Sequence, residues 1–529
     1  MVGSERRAVL AARRMVVAAH PAVSAAGHRV LAEGGNAVDA TLAMAAMCWL
    51  ALPGQCGIGG DAFAVVREPD GRVWTVGGSG FGPDGAEPGF HGDGPVPTRG
   101  ALSVAVPGAV GALSALHRQG ASRSLDELWR PAVEAAETGV ACSAKTHRDV
   151  ADNVDLVRGD AGLAAMFLPH GSVPAPGARL TFPEFAATLK TLAAAPESFY
   201  DGELAHRAVD HLRALGAPFS GAEWQACAVP LTGPPVTGTY GELTVHQTPL
   251  PTPGWMMLQQ AAVCDGVLSG LPALGGDAVH WLAAAARRAF ADRFAFCGSD
   301  NDAWQDLLTT AATAAAREDI RSGRLAPPAG TRPDGDTTST VAVDDSGRAV
   351  SFIHSLAFTF GSGVTVPGTG IVLNNRFGRG AYTLAGHPNE ARPRRRPLHT
   401  LNAWIATDAR GRLRFVGNTP GGDGQVQWNM QVLSHLADHG LDPQQAVSAP
   451  RFTIYPGSDA DTLGDAPELR CEDRLGDDVL AAVAAHGHRV RRLGPWEAGG
   501  SALVIAADHE TGSLAGGADP RQDGVALGD

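Results

Sequence analysis

A threonine able to become the first residue of a new chain is the chemical centre of this sequence. It stands in Asp336-Thr337-Thr338-Ser339-Thr340-Val341-Ala342-Val343-Asp344-Asp345-Ser346-Gly347. If the Thr337 hydroxyl attacks the carbonyl of Asp336, an N→O acyl shift and hydrolysis break the chain and leave Thr337 with a free α-amine. Such an amine titrates at about 7.7 to 8.0 when unperturbed, so near neutral pH it can serve as the base for its own hydroxyl. Taken alone, the segment is also what an ordinary strand looks like, because threonine favours strands.

The elements that must position Thr337 follow from local pattern. Val341 and Val343 alternate with smaller or polar neighbours at strand period, Asp345-Ser346-Gly347 is turn chemistry, and Ala349-Val350-Ser351-Phe352-Ile353 supplies the return strand of a hairpin. Upstream, the prolines and glycines from Leu325 to Gly335 exclude helix and central strand and predict an exposed loop. Ala22 to Glu33 reads as a helix stopped by Gly34-Gly35, and Asn36 caps a second helix to about Leu50, whose Leu42, Met44, Ala45, Met47 and Cys48 are core packing. Ala62 to Val66 and Val73 to Val76 form a second hairpin. Helices are expected at Leu125 to Glu137, Glu184 to Ala195, His206 to Leu215, Asp277 to Phe296 and Gln427 to His439, with strands at Trp404 to Ala406 and Ala502 to Ala507.

Four blocks, met in order along the chain, resemble the gamma-glutamyltranspeptidase family. Ala19–Ala40 and Gly57-Ile58-Gly59-Gly60-Asp61-Ala62-Phe63 resemble its amino-terminal signature, Phe360–Asn375 the block after its catalytic threonine, and Asn418-Thr419-Pro420-Gly421-Gly422-Asp423-Gly424-Gln425 its glycine pair. The resemblance runs from about residue 15 to about residue 505. It implies an α+β fold, the four-layer αββα sandwich of N-terminal-nucleophile hydrolases, which the strand and helix pattern permits. It also implies self-cleavage between Asp336 and Thr337, giving a large subunit 1–336 and a small subunit 337–529 as one interleaved unit. The cut protein would be a heterodimer of its own fragments, or a dimer of such heterodimers.

The resemblance assigns further roles residue by residue. Thr337 is the nucleophile. The backbone amides of Gly421 and Gly422 are placed to receive a tetrahedral oxyanion without a Cβ in the way, although a strand-to-helix turn also asks for glycine. Ser355, 18 residues after Thr337, matches a hydroxyl that contacts the nucleophile, or is a plain strand serine.

The substrate pocket departs from the family. Gly78-Ser79-Gly80-Phe81 holds no arginine where the family anchors an α-carboxylate, Arg379 stands where an aspartate anchors an α-ammonium, and Ala357 replaces an asparagine. An arginine there repels an ammonium, so glutathione is a poor substrate. Arg376 and Arg379 could instead bind a carboxylate, or form a solvated loop pair. Pro397-Leu398-His399-Thr400-Leu401 and the Asp423 that follows the glycine pair resemble the branch that includes oxamate amidohydrolase. The expected pocket residues are Phe81, Asn375, Arg376, Arg379, His399, Thr400 and Asp423; His399 is equally readable as structural. Arg392, Arg394, Arg395 and Arg396 are taken as solvated surface or a lid.

Composition limits the function classes. With 529 residues and 44% hydrophobic content the chain can bury a large core. A net charge of −13 without long single-sign runs argues against nucleic acid and anionic membrane as partners. Seven cysteines without close pairing predict reduced, buried thiols, neither a disulfide framework nor a zinc site, and no cofactor is called for. Glu5 and two arginine pairs interrupt the first apolar residues, so a cytoplasmic location is expected, and the alanine, arginine and proline bias suits an actinobacterial genome. Three functions stay open: a threonine hydrolase acting on an amide of a small acidic metabolite, a C–C bond hydrolase of a keto acid in 4-alkylproline-type metabolism, and a binding module that kept the fold. A genuine gamma-glutamyltransferase is the family default.

Overall fold

The computed structural model of the chain describes residues 6–326, 336–457 and 465–529. The proline-rich run 327–335 and the first five residues, on which two of the readings above fall, lie outside the described residues. Two seven-stranded sheets stack face to face. The first runs in the order Val525–Gly528, β1 (Met15–Ala18), β4 (Asp336–Val343), β5 (Ala349–Ala357), β2 (Asp61–Arg67), β3 (Val73–Gly78) and Leu231–Gly233. The second runs Val9–Ala11, Ser513–Ala518, β8 (Leu503–Asp508), β7 (Leu413–Asn418), β6 (Trp404–Thr407), Leu243–Gln247 and Val236–Tyr240.

Period-two alternation fixes which face of each strand goes where. Val17, Phe63, Val65, Val341, Val343 and Ile353 of the first sheet meet Ile405, Val416, Leu503 and Ile505 of the second in one apolar layer. The residues between them, Val16, Ala64, Val66, Ala342, Val350 and Phe352, face outward onto helices. Those helices include α1 (Pro21–Ala32) and α2 (Ala37–Ala51); α2 opens on an Asn36 capping box in which Asn36 and Asp39 satisfy each other's backbone donors. On the far side of the second sheet, Trp404, Ala406, Phe415 and Val504 pack against α3 (Gly254–Cys264), α4 (Gly276–Phe296) and α5 (Gly424–Ala437). The result is helix, sheet, sheet, helix.

Asp344 turns the β4–β5 hairpin: its carboxylate accepts from the backbone N–H of Ser346 at 3.0 Å and of Arg348 at 3.1 Å. Its second oxygen accepts from the N–H of Ala37 at 2.9 Å, tying the hairpin to the first turn of α2. All seven cysteines are free and buried. Among the described residues, no helix is long and apolar enough to cross a membrane.

Candidate active site

Thr337 is the second residue of β4 and is 2% exposed. The β4–β5 ladder is regular from Val343 back to Thr338, paired with His354, and then slips: Asp336 pairs with Ala357. Two steps along β4 therefore match three along β5, a bulge at the junction where the chain is expected to cut. The extra residue is absorbed at Ala357, whose φ of 84° is left-handed, a conformation costing an alanine about 1–3 kcal/mol. Inside this bulge the Thr337 hydroxyl donates to the Ser355 Oγ at 3.1 Å. Ser355 in turn donates to the carbonyl oxygen of Asp336 at 2.7 Å and accepts from the N–H of Ala357 at 2.7 Å. The Thr337 hydroxyl and the Asp336 carbonyl oxygen thus share one partner, Ser355, which donates to that oxygen.

A cavity of about 700 Å³ opens on this point, walled by Asp336, Phe358, Thr359, Gly421, Trp428 and Trp496. Its cations are Arg99, Lys145, Arg148, Arg470 and Arg521, against the carboxylates of Asp149, Asp152, Asp336 and Glu497. Lys145 Nζ lies 3.1 Å from the Asp336 carboxylate and also pairs with Asp149, and the Thr359 hydroxyl donates to the other Asp336 oxygen. Burial, reinforced by the charge of Asp336, pushes the Asp149 carboxyl up to about 7. Arg99 donates to the carbonyls of Thr359, at 2.7 Å, and Gly361, so it fastens the segment that follows β5; burial lowers its pKa.

Gly421 and Gly422 lead into α5 with φ of 128° and 56°, and a Cβ on Gly421 would lie 2.3 Å from the Trp428 ring. The pair is a strand-to-helix turn, and Gly421 also lines the cavity. Asn418 donates to Ser351 Oγ at 3.1 Å, and Ser351 to the Gly417 carbonyl at 2.8 Å, which pins the end of β7 to β5. Helix α5 starts at Gly424, three residues before the expected Gln427, because the turn is closed by Gly424 and Gln425 donating back to Gly421 and Gly422.

None of the seven expected pocket residues lines this cavity. Asn375 and Arg379 stand one layer behind its wall. The Asn375 Oδ1 accepts from the N–H of Phe358 at 3.0 Å, while Arg379 donates to the Ala357 carbonyl at 3.1 Å and stacks 4.7 Å over the Phe358 ring. Arg376 is farther in: its Nε is 3.5 Å from an Asp61 oxygen that also receives His399 Nε2 at 3.0 Å, and all three side chains are 0% exposed. Because His399 donates from Nε2, its Nδ1 is the acceptor for the Leu401 N–H at 3.4 Å. Burial, then the charge of Arg376, pushes the imidazole down to about 3, so it is neutral. Arg376 and Arg379 are therefore not a solvated loop pair.

Asp423 meets Arg293 at 3.3 Å, and Arg293 also donates to the His399 carbonyl at 2.8 Å. Thr400 is buried beside it. Phe81 lies under the guanidinium of Arg396, 3.9 Å from its centroid, so an arginine does stand over this position, supplied by a different part of the chain. Arg396 is thereby removed from the solvated run, whereas Arg394 pairs with Asp84 and Arg392 with Glu390 at the surface. Lys145, Arg99, Thr359 and Asp149 escaped the sequence reading. Lys145 opens an amphipathic helix (Ala144–Asp152) and carries no local signal that its partner is Asp336.

Stacked sheets between helices, with a threonine hydroxyl against the carbonyl preceding it, define the N-terminal-nucleophile hydrolase class. The chain belongs to the gamma-glutamyltranspeptidase family, whose model matches residues 23–529. It is 34% identical over 542 residues to the glutathione hydrolase-like YwrD proenzyme of Bacillus subtilis (strain 168), covering 99% of both chains. It is 34% identical over 530 residues to the oxamate amidohydrolase proenzyme of Klebsiella pneumoniae, covering 97% of this chain and 98% of that one. The crystal structure of a cephalosporin acylase from Bacillus halodurans superposes with a TM-score of 0.89 at 28% identity, over 100% of this chain and 98% of that one. The protein is a hydrolase of this family.

Proposed function

We propose that the chain cuts itself between Asp336 and Thr337, and that Thr337 then hydrolyses an amide of a small acidic metabolite, glutathione not being its preferred substrate. The carrying observation is the relay in the bulge, Thr337 hydroxyl to Ser355 to the Asp336 carbonyl. After the cut, the α-amine of Thr337 takes the hydroxyl proton, the hydroxyl adds to the substrate carbonyl, and amides at Gly421 and Gly422 receive the oxyanion. The fragments 1–336 and 337–529 stay together as a heterodimer.

Two observations support an acid rather than a gamma-glutamyl group. The cavity wall beside Asp336 carries Arg99 and Lys145, with Arg148 also in the lining, and Arg379 backs the wall behind Phe358. These charges favour a carboxylate and repel the ammonium of an amino-acid acceptor, so water takes the acyl group. The name of one relative at 34% identity, an oxamate amidohydrolase, agrees with this reading, while the other is named glutathione hydrolase-like.

Amino-terminal sequencing of the smaller fragment should read Thr-Thr-Ser-Thr. The matured enzyme should release free acid from an acidic amide with little gamma-glutamyl anilide turnover and little adduct in the presence of Gly-Gly. A purified uncut chain with full activity, or efficient transfer from glutathione to a dipeptide, would overturn the proposal.

A further inference from the structure

We infer that the acyl half of the substrate carries a carboxylate on a four-carbon dicarboxylic frame, and that Lys145 and Thr359 receive it where they hold Asp336 in the uncut chain. The inference rests on the hydrolase reading above and specifies its substrate class. One hydroxyl serves two reactions. In maturation Thr337 Oγ adds to the carbonyl of Asp336; in turnover it adds to the carbonyl of the substrate. Both adducts form at the same atom, so the uncut chain records one acyl group lying in the site.

That acyl group has a defined shape. From its carbonyl carbon, the Asp336 side-chain carboxylate is three bonds away, through Cα and Cβ. Its two oxygens are bound separately, by Lys145 Nζ at 3.1 Å and by the Thr359 hydroxyl. Lys145 is itself only 19% exposed, and Arg99, which fastens Thr359 through its carbonyl, adds a second positive charge at the same wall. When Asp336 withdraws after the cut, Lys145, which keeps Asp149 as a second partner, and the Thr359 hydroxyl remain, spaced for a carboxylate at this distance from the nucleophile.

A monoamide of a four-carbon dicarboxylic acid reproduces both ends, and a substituent next to its carbonyl occupies the place of the Asp336 nitrogen. An oxalyl group is two carbons short of the anchor. A gamma-glutamyl group is one carbon too long and brings an ammonium beside Lys145. The step balances as follows: Thr337 Oγ–H adds to the acyl carbonyl, the C–N bond breaks, and the hydroxyl proton passes through the α-amine to the departing nitrogen. Water then splits the ester, releasing the dicarboxylic acid and restoring the hydroxyl.

The test uses the full-length, self-matured enzyme and a series of p-nitroanilides: oxalyl, malonyl, succinyl, glutaryl and gamma-glutamyl, with the methyl ester of the succinyl compound. kcat/KM should peak at succinyl and exceed its neighbours and the ester by roughly ten- to a hundredfold, as a charge-assisted contact predicts. Lys145→Met should bring the ratio of acid to ester near one, and Lys145→Arg should restore the preference. A flat chain-length profile, or an acid preference unchanged in Lys145→Met, overturns the inference. If Lys145→Met stays uncut, the wild-type chain-length profile alone decides. A wild-type chain that neither cuts itself nor hydrolyses any of these amides refutes the hydrolase reading, whereas one that is cut and active without a four-carbon preference refutes only this inference.

Discussion

Two charged clusters flank the nucleophile strand, and they differ in where their charge is spent. In one, Arg376, Asp61 and His399 are 0% exposed, and one Asp61 oxygen faces both the Arg376 guanidinium and the neutral His399 imidazole. In the other, Lys145 faces Asp336 across the wall of an open cavity and is partly exposed. The first set has its counter-charge inside the protein and ties β2 to the segment before β6. The second has two carboxylate partners for Lys145, Asp149 and Asp336, of which maturation is proposed to remove Asp336. An arginine's position in a motif therefore says less about substrate binding than whether its counter-charge comes from the protein or is left to a ligand.

The largest expected effect is at the nucleophile itself: Thr337→Ala should leave the chain whole on a denaturing gel and without hydrolytic activity. Asp61→Asn removes the buried carboxylate that His399 donates to and Arg376 approaches, and should cost about 1–3 kcal/mol of stability in chemical denaturation. A loss below about 1 kcal/mol would show that the cluster does not hold that end of β2. On the cavity side, Gly421→Ala forces a Cβ into Trp428 and tilts an oxyanion donor, so turnover should fall about 100- to 1000-fold. Gly440→Ala, also at positive φ but in open space, should cost only about 1 kcal/mol of stability and no activity.

Protonation separates the clusters by a smaller amount. The Asp149 carboxyl is raised in the folded chain to about 7. Its stabilising contribution is thus complete below the ordinary aspartate range and disappears as pH rises through 7, with a slope of at most about 1.4 kcal/mol per pH unit. In uncut Thr337→Ala protein, the Tm should drop from pH 5 to 8, and adding Asp149→Asn should flatten that drop; an identical profile would remove Asp149 from the cavity-side cluster. Smallest of all, Arg394→Ala, at the exposed pair with Asp84, should leave the Tm unchanged within error.

How far the sequence could be read followed the range of the forces involved. The hairpin around Asp344, the helices α1 and α2 and the strands β2 and β3 were legible to within a residue or two, because turn chemistry, caps and alternation act over a few neighbours. Helix α3 was not anticipated: it is buried nearly all round, so no polar face marks its period, and no side chain caps its start. The pairing of Thr337 with Ser355 and the glycine at 421 on the cavity wall were singled out through the family resemblance. The partners of the charges were not, since Asp61 meets Arg376 and Lys145 meets Asp336 across long stretches of chain that only the folded sheets bring together.

The first sheet interleaves the two sides of residue 336: β1 lies between Val525–Gly528 and β4, and β5 lies against β2. Before a cut, every strand finds its neighbours along one chain, and refolding is a first-order process indifferent to dilution. After a cut, the same sheet must be assembled from two molecules, so its recovery from denaturant becomes second order and fails at low concentration. Maturation at Thr337 would thus leave the native contacts nearly untouched while making their loss hard to reverse, turning an equilibrium fold into one kept by its slowness to come apart.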